Sequence, residues 1–222
     1  MRPAEPCPII DAMSDVGVLG GSSALGWSVG FLEAPVADVR DHLLLWRREA
    51  GVAFEVYDDL PGWPECLAAL LPLESPWKAE LVVPHGAWTM YVNNQLGGGD
   101  PAEATTSIAN HLGGRWVVAT HHPLSAAGNA ATELWLGGPT GEPPLHHVRS
   151  VAAVAEDGRW TWHADGPVQP FERTGAYAAA TVADRLTRRM LVEYLDALGI
   201  AVDDAARYGD ASVIRRLGQP AR

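Results

Sequence analysis

Apolar positions along the chain change their spacing several times, and each change marks an element. Trp27 to Glu33 is a compact, largely apolar run that predicts a strand. Pro35 then opens a stretch in which Val36, Val39, Leu43 and Trp46 recur at helical spacing until Gly51, so a helix is expected there. Val52 to Tyr57 alternates as a second strand, and Pro61-Gly62 turns the chain into a short helix from about Pro64. Strands follow at 79–83 and 87–93, joined through Pro84-His85-Gly86. In the second of these, Trp88, Met90 and Val92 share one face while Thr89 and Tyr91 share the other.

Asp100-Pro101-Ala102-Glu103 has the form of a capping box, with Asp100 as cap and Glu103 reaching back, opening a helix that Gly113-Gly114 stops after Leu112. Segments 115–120, 132–136, 148–154 and 159–163 then read as strands in series with turn residues between them. Thr187 caps a final helix whose Met190, Leu191, Tyr194, Leu195 and Leu198 make one apolar stripe ended by Gly199, and 176–186 is a less sharply patterned helical segment before it. Strands in a run beside separate helices predict an α+β fold: a largely antiparallel mixed sheet with helices packed on one face. Residues 1–25, with Pro3, Pro6, Pro8, Gly17, Gly20 and Gly21, read as a flexible N-terminal arm ahead of a single domain over 26–222.

Composition narrows the functional classes. The 222 residues are 47% hydrophobic, enough for a substantial core. Nine Trp against three Phe make a few large anchors its main bulk. A formal net charge of −11 opposes a phosphate backbone as partner, and no basic stripe interrupts it. Lys78 is the only lysine, so Schiff-base chemistry has one candidate, placed at the start of a strand. Cys7 and Cys66 have neither metal-ligand spacing nor the look of a disulfide framework. With no signal-peptide pattern and no membrane-length apolar run, a cytoplasmic location is expected.

Local chemistry yields no catalytic motif and no cofactor signature. Gly97-Gly98-Gly99-Asp100 precedes a helix, but Asp100 and Glu103 would put carboxylates where a phosphate should sit. The pairs His121-His122 and His146-His147 fall at opposite ends of a strand meander, roughly 20 Å apart at ~3.3 Å per residue. A turn at Asp157-Gly158 pairs Glu156 with Arg159 and places His163 opposite Ala152, ~16 Å along the strand from His147. No metal site is expected. Ser22-Ser23 lies in the arm rather than on a nucleophile elbow. Asp58-Asp59 reads as a solvated turn, and Trp160 and Trp162 share one strand face near Trp116 and Trp135.

The segment Trp88-Thr89-Met90-Tyr91-Val92-Asn93-Asn94 through Gly98-Gly99-Asp100-Pro101 resembles a recurrent actinobacterial protein type with no activity attached. The likeness resumes at Gln169-Pro170-Phe171-Glu172, Tyr177, Asp184-Arg185-Leu186-Thr187, Met190-Leu191, Tyr194 and Leu198-Gly199-Ile200. In size, charge and composition the chain also resembles the small acidic immunity proteins of bacterial toxin systems.

These features lead to an acidic protein-binding module, an immunity-type inhibitor of a basic toxin being one form, with Trp160, Trp162, Asp58 and Asp59 as partner-binding candidates. The alternative is an enzyme or small-molecule binder with a site assembled from distant residues, for which Tyr91, His147, Arg149 and His163 are the polar candidates. A structural component of a larger assembly is the third class.

Overall fold

The computed structural model describes residues 27–96 and 99–217, and the arm assigned to 1–25 lies outside them. Its strands are β1 Trp27–Leu32, β2 Phe54–Leu60, β3 Ala79–His85, β4 Trp88–Asn93, β5 Trp116–His122, β6 Ala130–Glu142, β7 His147–Glu156, β8 Arg159–Asp165 and β9 Ala211–Arg216. The α-helices are α1 Val36–Glu49, α2 Ala102–Leu112 and α3 Arg188–Ala197, joined by 3-10 turns that include Glu65–Leu70, Thr174–Ala178 and Val182–Asp184. All nine strands form one sheet in the order β2-β9-β3-β4-β1-β5-β6-β7-β8, and every strand pairing is antiparallel.

The helices lie on both faces rather than on the single face expected. Strands β1, β3 and β5 carry apolar side chains at successive positions, so consecutive residues supply two cores. Val29, Phe31, Leu81, Val83, Val117 and Ala119 point to a core closed by Met190, Leu191, Tyr194 and Leu195 of α3 and by Cys66, Leu67 and Leu70. Leu32, Val82, Tyr91, Trp116 and Val118 point the other way, against Val39, Leu43 and Leu44 of α1 and Ala104, Ile108 and Ala109 of α2. Gly30 lets α2 approach β1 closely: a Cβ there would stand 1.8 Å from Thr105 Oγ1.

Local signals explain most element ends. Thr187 caps α3 by accepting from the Met190 N–H, and Gly113 ends α2 in the left-handed region at φ 68°. The expected box at Asp100 does not form. Asn93 Oδ1 instead takes the Asp100 N–H, Asn93 Nδ2 donates to the Asp100 carbonyl, and α2 starts behind Pro101 with no side-chain cap. The segment 176–186 makes only 3-10 turns, and β9, absent from the sequence reading, is inserted between β2 and β3. No described helix is long and apolar enough to cross a membrane.

Helical cover is uneven. On the α1/α2 face, α1 lies over β3 and β4, and α2 over β1, β5 and part of β6. Among the described residues, no helix covers the β7–β8 side of that face, and this leaves the candidate site open.

Candidate functional site

Strand register lines up one row of side chains across five strands on the open half. Ser28 of β1 faces Thr120 of β5, Thr120 faces Glu133 of β6, Glu133 faces Ala152 of β7, and Ala152 faces His163 of β8. The two hydroxyls at one end bond each other at 2.7 Å. At the other end Ser150 Oγ lies 3.0 Å from His163 Nε2. Ala152 is small, so the longer side chains of Glu133 and His163 interact electrostatically across it. Burial pushes the Glu133 carboxyl up from its ordinary value, opposed by the Trp135 indole and by His163. Trp135, two residues along the same face, is 38% exposed.

Beside this row lies a cleft of about 700 Å³ lined by Ser28, Thr120, His122, Asn129, Glu133, Glu156 and Asp157 among others. Its wall is tied together by backbone geometry. The Asp157 N–H donates to Asn129 Oδ1 at 3.0 Å, and the Gly158 N–H donates to the Gly128 carbonyl at 2.9 Å. The β5–β6 connection thus grips the tip of the β7–β8 hairpin, and Gly128 permits the contact, since a Cβ there would come within 2.5 Å of the Gly158 nitrogen. Three carboxylates, Glu133, Glu156 and Asp157, line the cleft, and among the described residues its lining contains no Lys or Arg. His122 adds no charge at neutral pH, because burial pulls its imidazole below the ordinary value. The described lining is therefore electronegative, which disfavours an anion there. The chain matches no protein-family model, no curated protein and no solved structure.

The polar residues singled out from the sequence do not come together here. Tyr91 is buried on the α1/α2 face and donates to Glu80 Oε1 at 2.7 Å, where burial and then the neighbouring Glu80 hold its hydroxyl far above the ordinary value. Arg47 meets the same carboxylate with two bonds of 3.1 and 2.7 Å, closing a buried Arg47-Glu80-Tyr91 network. Arg149 lies on the opposite face, paired with Glu172 at 2.9 and 2.7 Å and donating to the Asp165 and Gly166 carbonyls. It anchors the 166–177 segment under the sheet. His147 Nδ1 stands 3.9 Å from Asp165 Oδ2. Tyr91 lies beneath the helices and Arg149 on the opposite face, so neither can join His163 at the open row, and no hydrogen bond joins any two of the four enzyme candidates among the described residues.

The expected partner-binding residues divide between the two edges of the sheet. Asp58 sits on edge strand β2, where its Oδ1 accepts from Arg40 and Ser212, and Asp59 occupies the left-handed region at φ 57°. Trp160 and Trp162 sit on edge strand β8 and pack against the α3-side core, Trp162 meeting the Tyr177 ring at 4.9 Å. The two groups are eight strand spacings apart, roughly 38 Å at ~4.8 Å each, so they form no single patch. Lys78 pairs with Glu74 at 2.5 Å, and burial pushes the Cys66 thiol up to about 12, which removes it as a nucleophile. His122 pairs with Ala131 at the start of β6, and His147 pairs with Gly137 and, past a register shift, with Glu142 at its end.

Sequence reading overlooked Glu133, Asn129 and the two buried arginine networks. The deduced pairing of His163 with Ala152 was the available signal for Glu133. Extending that row by one more strand reaches it.

Proposed function

We propose that this protein is a binding module for a basic partner and that the acidic cleft on the open half-sheet receives a cationic side chain of that partner. A cytoplasmic, immunity-type inhibitor of a basic toxin is the form of this function that best fits a net charge of −11. The supporting observation is the lining: three carboxylates, no Lys or Arg among the described residues, and an exposed indole two residues from the most buried carboxyl. A guanidinium over Trp135 would gain cation–π attraction while pairing with Glu133. A small cationic metabolite is the second reading, favoured by the concavity of the cleft and its hydroxyl-bearing end.

The test is calorimetric titration with a short arginine-rich peptide, its citrulline counterpart, and agmatine, a small molecule with one amine and one guanidinium. The arginine peptide is expected to saturate, to weaken as salt rises, and to lose at least about tenfold in affinity with Glu133→Gln. Equal binding of the citrulline peptide would refute a cation site. Saturable agmatine binding with no gain from the peptide would favour the small-molecule reading.

A further inference from the structure

The two edges of the sheet are treated differently. Edge strand β2 is interrupted by a register shift between Tyr57 and Leu60, carries the adjacent acids Asp58 and Asp59, and puts Asp59 in the left-handed region. These are the devices by which natural sheets discourage pairing with another chain. Edge strand β8 has none of them. It runs from Arg159 to Asp165 without Pro or Lys, its ladder with β7 is continuous from Glu156↔Arg159 to Ser150↔Asp165, and no described residue pairs with its outer side.

Turn geometry settles which backbone groups point outward. Asp157 and Gly158 both have positive φ, 49° and 78°, as a two-residue type I′ turn requires. Such a turn closes on a hydrogen-bonded pair, here Glu156 and Arg159. Bonding alternates along an antiparallel ladder, so Arg159, Thr161, His163 and Asp165 direct their backbone groups to β7. Trp160, Trp162 and Ala164 present N–H and C=O groups to the outside.

We propose that β8 pairs antiparallel with β8 of a second copy of this chain about a two-fold axis at Trp162, extending one sheet through both molecules. In this register Trp162 faces Trp162, Trp160 faces Ala164, Thr161 faces His163, and Arg159 faces Asp165 on both sides of the axis. Every outward backbone group then meets a partner of the right kind. The two charged ends of the strand complement each other, which a shift of two residues in either direction would undo. The partly buried Trp160 and Trp162 extend their packing across the joint. An axis normal to the sheet leaves both acidic clefts on the same side of the continuous sheet. The contact is short, which places it among weak, reversible interfaces. The inference rests on the edge alone and stands whether or not the cleft binds a cation.

Sedimentation velocity across roughly 1 to 500 µM tests it. The expected result is a concentration-dependent monomer–dimer equilibrium. Arg159→Asp places acid opposite acid, and Asp165→Arg places base opposite base, so each variant alone should dimerise at least about tenfold more weakly. Mixing the two single variants should restore association, since the acid and base ends then face each other across the joint. Hydrogen exchange supplies the second readout, with the Trp160, Trp162 and Ala164 amides slowing on dimerisation and the Thr161 and His163 amides unchanged. Monomer mass across the whole range would overturn the proposal. So would a dimer indifferent to both substitutions, or a mixture of the two variants that associates no better than either alone.

Discussion

Arg47→Met is expected to be among the most destabilising single changes in the protein. Glu80 is fully enclosed, and its two oxygens accept from Arg47 at 3.1 and 2.7 Å and from the Tyr91 hydroxyl at 2.7 Å. Removing the guanidinium leaves a buried carboxylate with one neutral donor, a situation that costs about 3–5 kcal/mol. That is a large fraction of the 5–15 kcal/mol typical of a folded domain. With a urea slope of about 2 kcal/mol per molar, the denaturation midpoint should fall by roughly 2 M. The reverse deletion, Glu80→Leu, should cost less. Arg47 would keep two aromatic neighbours, its guanidinium carbon lying 4.2 Å from the Trp46 ring centroid and 4.9 Å from that of Trp77. The double variant Arg47→Met/Glu80→Leu replaces the pair by apolar groups and should recover to within about 1 kcal/mol of the parent or exceed it. Urea unfolding followed by far-UV circular dichroism on all four proteins closes the cycle. A loss below about 1 kcal/mol for Arg47→Met, or a double variant no better than that single one, would refute a pair whose members are costly mainly when separated.

Four histidines that burial holds below their ordinary value, His42, His85, His121 and His122, make stability depend on pH in one direction. Burial, and then the charges of Arg188 and His122, pull His121 from an ordinary 6.5 to about 4. Its imidazole therefore stays neutral in the fold while the unfolded chain takes up a proton. This contribution is complete above pH 6.5 and is lost as pH falls toward 4. The span is worth about 3 kcal/mol unscreened, and roughly 1–2 kcal/mol at a partly accessible position. His85, also lowered by burial first, adds in the same direction, so thermal unfolding at pH 7 and pH 5 should differ and His121→Gln should narrow the gap. Gly30→Ala should cost about 1–3 kcal/mol, because its methyl would meet Thr105 Oγ1 at 1.8 Å. Gly175→Ala, with nothing within 4 Å, should stay within about 0.5 kcal/mol in the same melt. Glu133→Gln should raise the melting temperature at pH 7 even as it weakens cation binding, since burial disfavours the ionised carboxyl. That advantage should vanish below the carboxylate range.

Elements with a local cause were legible in the sequence. Helix α1 shows its helical period between Pro35 and Gly51, α3 its Thr187 cap, and the β7–β8 hairpin its Asp157-Gly158 turn, down to the pairing of Ala152 with His163. Strand β9 was not legible, because a short run from Ala211 to Arg216 owes its state to β2 and β3, whose paired residues lie 130 or more positions earlier in the chain. Helices on both faces were in principle readable from Leu81-Val82-Val83 and Val117-Val118-Ala119, runs too continuous for a sheet covered on one side. The Asp100 box failed because the side chain of Asn93, seven residues away, claimed that backbone first. The acidic row was hidden for a related reason. Ser28, Thr120, Glu133 and His163 have no mutual spacing in sequence, and only the lateral order of β1, β5, β6, β7 and β8 makes them neighbours.

The open half of the sheet is also better explained by its own residues than by a missing helix. Covering the row would bury Glu133 completely, and no described Lys or Arg lines the adjoining cleft to neutralise it. The covered half contains the contrasting case: Glu80 is fully buried, and Arg47 and Tyr91 reach it from α1 and β4. One carboxylate therefore comes with a permanent counter-charge built in, while the other is held partly desolvated with only the Trp135 indole and His163 opposing the penalty, which lowers the stability of the free protein. A fold that tolerates such a cost at one position and satisfies it at another is consistent with the counter-charge for Glu133 arriving from outside the chain. The stability and binding of Glu133→Gln are for that reason expected to move in opposite directions.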